Sequence, residues 1–171
     1  MENMDRIAEL FGLLCDSYVE TALGKKVTQK LFYFFERKGI NLNLRYGIHF
    51  FGPYSARLDN AMHLLESEDK ISINTANMTH IISLGKDKIA SGVLSSEEQK
   101  IASLVLEKFA HKSAYDLEAL ATMDFVANTM LDTVNKEEII SKFKEIKGNK
   151  FNDSTIEKTY MTLVEMDLIV A

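Results

Sequence analysis

The spacing of apolar residues constrains this chain more than any other feature. Over most of the 171 residues they recur every three or four positions, and over one short stretch every second position. The first spacing lines one face of a helix, the second one face of a strand. Ile7, Leu10, Phe11, Leu14 and Tyr18 predict a helix over 3–20, which Gly24 interrupts. Val27, Leu31, Phe34 and Phe35 predict a second helix over 26–38. Phe32 and Tyr33 widen its stripe until it is apolar on most sides, the mark of a central helix. Gly39 closes it behind Arg37 and Lys38, cations placed where a helix C-terminus favours them.

The period then changes. Leu42, Leu44, Tyr46, Ile48 and Phe50 alternate with Asn41, Asn43, Arg45, Gly47 and His49, which predicts a strand with one dry face. Tyr46 and Phe50 are expected in the core on that count. The strand stops at Gly52-Pro53, the only proline in the chain. Proline has no N–H and a fixed φ, so it fits the first turn of a helix better than a central strand. The stretch therefore reads as a strand-to-helix corner, with Ser55 as a second possible cap. The helix after it is expected to bury Leu58, Ala61, Met62 and Leu65.

Further on, "KISINTANMTHIISLG" reads as a β-hairpin with its turn at Asn74–Asn77. The rest is helical, and its starts are signalled. Ser95…Glu98, Ser113…Asp116, Asn135…Glu138 and Ser154…Glu157 resemble capping boxes. They predict helices over 96–110, 114–130, 136–147 and 155–166. The expected fold class is mainly α with a small antiparallel β-sheet. Residues 1–92 form a winged-helix-like lobe, although its single strand falls after the second helix rather than before it. Residues 93–171 form a C-terminal helical lobe sharing its core, and the last two helices read as a helix-turn-helix pair.

Composition removes several functions. The longest apolar run, Leu31–Phe35, has five residues, whereas a membrane span needs about 20. "MENMDRIAEL" lacks a signal peptide's apolar centre, and the single cysteine forms no internal disulfide, so a cytoplasmic protein is expected. Residues 1–90 carry 11 cations and 11 anions, and residues 91–171 carry 9 and 14. A nucleic-acid binder usually shows a basic excess, and this chain shows none.

Chemistry-bearing motifs are sparse. His49, His63, His80 and His111 lack zinc spacing, and no metal or cofactor is expected. "LGKKVTQK" has Val19 where a phosphate loop needs its first glycine. There is no G-x-S-x-G, and no serine or cysteine has a local histidine partner, so no catalytic residue is assigned. Lys25, Lys26, Lys30, Lys142, Lys144, Lys147 and Lys150 are the cations available for phosphates, and Arg57, Asn60 and His63 the base-reading side chains. Asp59, Glu66 and Glu68 lie close to the latter in sequence and would repel a phosphate backbone.

Eight aromatics crowd residues 32–54. Phe51 falls on the polar face of the expected strand beside His49, with Tyr54 next to it, and an exposed aromatic pair at a corner is a fitting anchor for a protein partner. His49, Phe51, Tyr54 and Arg57 are the expected partner-binding residues.

"KLFYFFERKG", the alternating stretch, "FGPYS" and "RLDNAMHLLESEDKISI" together resemble the Panacea family, which includes SocA-like and YwgA-like proteins. Lys30, Leu31, Tyr33, Gly52, Pro53 and Tyr54 carry the likeness, over about residues 5–85, and "SAYDLEALATMDF" adds to it. The resemblance implies a small, non-enzymatic cytoplasmic protein that acts as an antitoxin or a proteolysis adaptor through a protein partner. The alternative is a winged-helix DNA-binding regulator.

Overall fold

The computed structural model describes residues 2–170. In chain order the elements are α1 (Glu2–Ser17), β1 (Leu23–Gly24), α2 (Lys25–Lys38), β2 (Gly47–His49), β3 (Gly52–Tyr54), α3 (Ala56–Ser67), β4 (Ile71–Asn74), β5 (Ile81–Leu84), α4 (Ser96–Phe109), α5 (Ala114–Phe125), α6 (Lys136–Lys147) and α7 (Asp153–Glu165). A π-helical turn, Val126–Met130, continues α5. The protein is thus mainly α with small antiparallel sheets. The chain divides into two compact units. One comprises Met1–Tyr46 and Ser55–Lys112, the other Gly47–Tyr54 and Ser113–Ala171. The division differs from the boundary expected near residue 92: α4 belongs to the first unit, and the segment 47–54 to the second.

In the first unit α2 is central, as its broad stripe predicts: Leu31, Phe32, Phe34 and Phe35 are fully buried. Phe32 packs on Phe11 of α1 with ring centroids 4.8 Å apart, and Phe34 stacks on Phe109 of α4 at 4.2 Å. The sheet has the order β1-β5-β4, all antiparallel. The hairpin β4–β5 follows the sequence expectation. β1 does not, because two residues are too few to show a period. Its pairing of Leu23 with Ile82 puts a strand before α2, where none is expected.

The segment 42–46 corrects the expectation of a strand. Burial does alternate, with Ile40, Leu42 and Leu44 inside and Asn41, Asn43 and Arg45 outside. The backbone is not extended, however: Asn43 has φ 55° and Arg45 φ 52°. The Glu36 carboxylate takes the place of a partner strand, accepting from the N–H groups of Leu42 (3.2 Å) and Leu44 (3.1 Å). The carbonyls are met by side chains too. Asn3 donates to Leu42 O and Ser55 Oγ to Leu44 O, both at 2.6 Å. With the N–H and C=O groups of Leu42 and Leu44 met by side chains, these residues need no ladder.

Pro53 is a second correction. It lies in β3, opposite Ile48, rather than in a helix's first turn. The helix starts at Ala56 with Ser55 as its cap, whose Oγ accepts from the N–H of Leu58 at 3.0 Å.

In the second unit α5 is the buried element, with Leu117 through Phe125 all inside. Within the unit its neighbours are α6, α7 and β3. Ser95, Ser113 and Asn135 cap their helices as expected, and Ser95 forms the full reciprocal box with Glu98. For α7 the cap is Asn152, bonded to the N–H of Thr155, so the helix begins two residues before the expected 155.

Candidate docking hairpin

The second unit holds β2–β3 as a two-stranded hairpin whose loop is Phe50–Phe51. Gly52, φ 95°, makes the left-handed step that lets the chain turn back, a conformation L side chains resist. Gly52 and Pro53 are buried and β3 packs on α5, so the base of the hairpin is fixed. The tip is not covered: Phe50 is 84% exposed and Phe51 40%. Their rings meet edge to face, centroids 4.9 Å apart. Behind them, the exposed His49 lies against the half-buried Tyr54 at 4.8 Å.

Three ionic side chains hold this tip from beneath. Lys147, the last residue of α6, donates from Nζ to the Phe50 carbonyl at 3.0 Å. The same ammonium lies 2.9 Å from Glu118 of α5. Lys150 reaches the other Glu118 oxygen at 2.8 Å, and its Nζ stands 5.2 Å from the centre of the Phe51 ring. An ammonium over an aromatic face is attracted by the ring quadrupole. Gly148, φ 58° and ψ −130°, makes the bend that aims both lysines at one carboxylate. Tyr115 steadies the bend by donating its hydroxyl to Lys150 O at 2.8 Å while its ring packs on Phe151.

Glu118 is almost wholly buried. Burial raises its pKa, but hydrogen bonds and charge from Lys150 and Lys147 outweigh that and hold the carboxyl below its ordinary value. It is therefore ionised at neutral pH, and the trio carries a surplus of one positive charge.

His49, Phe51 and Tyr54 are thus brought together in one hairpin. Arg57 is not part of it. It belongs to the first unit, in the first turn of α3, where Nη1 donates to Asn43 O at 3.1 Å. Phe50, expected in the core, is the most exposed aromatic of the tip, which reverses that expectation. Its parity belongs to a continuous strand, and the ladder ends one residue earlier, at His49. Glu118, Lys147 and Lys150 lie far along the chain from the hairpin, and no local spacing ties them to it.

Elsewhere the available chemistry is modest. Burial, then the charge of Asp16, pushes the half-buried Cys15 thiol up to about 11, so it stays protonated at neutral pH. Among the described residues no group of three or more His, Cys, Asp and Glu side chains is placed to hold a metal ion, and no helix is long and apolar enough to cross a membrane. No protein-family model and no curated protein matches the chain.

Proposed function

We propose that this protein is a non-enzymatic interaction module that presents the tip of the β2–β3 hairpin to a protein partner. The observation that carries this reading is the exposure of Phe50 and Phe51 on a turn whose carbonyl and ring are held by Lys147 and Lys150. Aromatic anchors dominate interface energy when they are rigid, because little side-chain entropy is then lost on binding. A floppy exposed pair would be a hazard, whereas a braced one suits recognition. Gly52, Pro53 and Tyr54, which build the hairpin, are also the residues of the Panacea-like corner. That likeness favours a toxin or an adaptor's client as the partner, in a cytoplasmic setting.

The test is co-purification from the native cell with the wild type and with a Phe50→Asp/Phe51→Asp double variant. A stoichiometric protein that accompanies the wild type and is lost from an equally stable double variant is the expected result. The same companion on both chains would refute the reading.

A DNA-binding regulator is the second reading. It is favoured by β1, which gives the first unit the order helix, strand, helix, helix, strand, strand of a winged helix. Against it, Lys25 is paired with Asp59, Lys142 with Glu145 and Lys144 with Asp153, and His63 sits beside Asp59 and Glu66.

A further inference from the structure

The docking hairpin has two edges of different character. The outer edge of β3 contains Pro53, which offers no N–H to an added strand. On the other edge, β2 faces β3 in the register Gly47–Tyr54, Ile48–Pro53, His49–Gly52. Antiparallel ladder bonds join alternate facing pairs, and Pro53 has no N–H to give Ile48. The bonds therefore belong to the flanking pairs, and the N–H and C=O of Ile48 point outward. Neither has a hydrogen-bond partner among the described residues. A Cβ built on Gly47 would meet nothing within 4 Å, so the sheet face at the start of this edge strand is open. From Tyr46 to Tyr54 there is also no Lys, Arg, Asp or Glu, the residues with which proteins usually blunt an open edge.

The charge beneath the hairpin tip has a sign. Lys147 and Lys150 share the single carboxylate of Glu118, and the Lys150 side chain is 36% exposed. Resting on the docking reading above, we infer that the occupant is an extended segment of a partner protein that adds as a strand to β2, setting a carboxylate at Lys150 and an apolar side chain against Phe50. Main-chain bonds from Ile48 supply the register, and the aromatic and cationic contacts supply the selectivity. A second copy of this chain suits the site less well. Stable dimer interfaces take roughly 20–30 residues from each partner, and the hairpin 47–54 offers eight.

The test screens the full-length protein against an immobilised panel of degenerate short peptides and measures the best binders by fluorescence anisotropy. Binders are expected to alternate apolar and polar residues and to carry at least one Asp or Glu. Ile48→Pro removes the outward N–H while sparing the ladder, and is expected to weaken binding at least about tenfold. Should Ile48→Pro unfold the protein, Gly47→Lys, which places a charge in the open space, is expected to cause the same loss. Lys150→Gln is expected to weaken acidic peptides and leave their Asn/Gln counterparts unchanged. Binders without an acidic residue, variants that bind like wild type, or no binder at all would overturn the inference. So would an Ile48-dependent dimer in sedimentation, which would make the occupant a second copy. If the peptides fail while photo-cross-linking from position 50 still captures a partner, the docking reading stands and only its extended, acidic occupant falls.

Discussion

Gly85 occupies a place that no other residue fits. A Cβ there would sit 2.0 Å from the carbonyl oxygen of Asp69, a backbone atom that cannot swing aside. The contact is closed by the Gly85 N–H, which donates to Lys70 O at 2.9 Å, so the end of β5 is clamped to the turn after α3. Gly85→Ala is therefore expected to cost about 1–3 kcal/mol, read as a lower denaturant midpoint at unchanged slope. An alanine variant as stable as the wild type would contradict the close approach. In the sequence Gly85 reads only as the end of the hairpin stretch, because the residue it touches is displaced from it in sequence. The fates of Tyr46 and Phe50 were hidden for a related reason. Both satisfy one period-two pattern, yet Tyr46 turns its hydroxyl to Gln29 O at 2.7 Å and Phe50 points outward. Burial, and then the charge of Glu36, raises the Tyr46 hydroxyl well above the usual phenol value, so it remains a donor at any physiological pH. Alternation records which side a residue takes along an unbroken strand, and it carries no information past a turn.

At the scale of elements, helices were legible because their signals are local. Apolar spacing and a capping side chain three residues upstream lie within one turn, and the Ser95, Ser113 and Asn135 caps form where that chemistry places them. At α7 two caps competed, and Asn152 at the end of the loop prevailed over Ser154. The expected strand formed only at Gly47–His49; residues 42–46 left it because Glu36, behind them in the chain, supplied the acceptors a neighbouring strand would have supplied. The brace under the hairpin was illegible for the same reason at longer range: α5 and the end of α6 meet it only in the folded unit. Glu118 is the hub of that brace. Glu118→Gln leaves two ammonium groups without their shared countercharge and is expected to destabilise the protein by on the order of 3 kcal/mol at neutral pH. It should also speed amide exchange in His49–Gly52. The pH dependence has a definite sign. The folded carboxyl titrates below its ordinary value of 4.5, so its contribution is present above that pH and disappears as pH falls through the folded value. The stability gap between wild type and variant should accordingly close below pH 4.5. A gap that persisted into strong acid would mean that Glu118 acts by packing alone.

For the molecule as a whole, charge and exposed aromatics decide between the two functional readings. Net charge is −5, and Lys25, Lys142, Lys144, Lys147 and Lys150 each have a carboxylate partner. Phosphate binding would have to break such pairs. Duplex affinity is therefore expected to be weak and nearly flat between low and physiological salt, whereas a regulator's would fall steeply as counterions are released. The fold class could be read from the sequence, since the seven helices and the β4–β5 hairpin account for most of the described residues. The division into units could not, because α4 joins the first unit and the hairpin the second through contacts distant in sequence. The docking tip is what the account turns on, and photo-cross-linking tests it most directly. A photoreactive phenylalanine analogue at position 50, activated in the native cell, should give one discrete protein adduct that the same analogue at the still more exposed Met78 of the β4–β5 turn does not give. No adduct from position 50, or the same adducts from both positions, would contradict the claim that the hairpin tip is where this protein meets its partner.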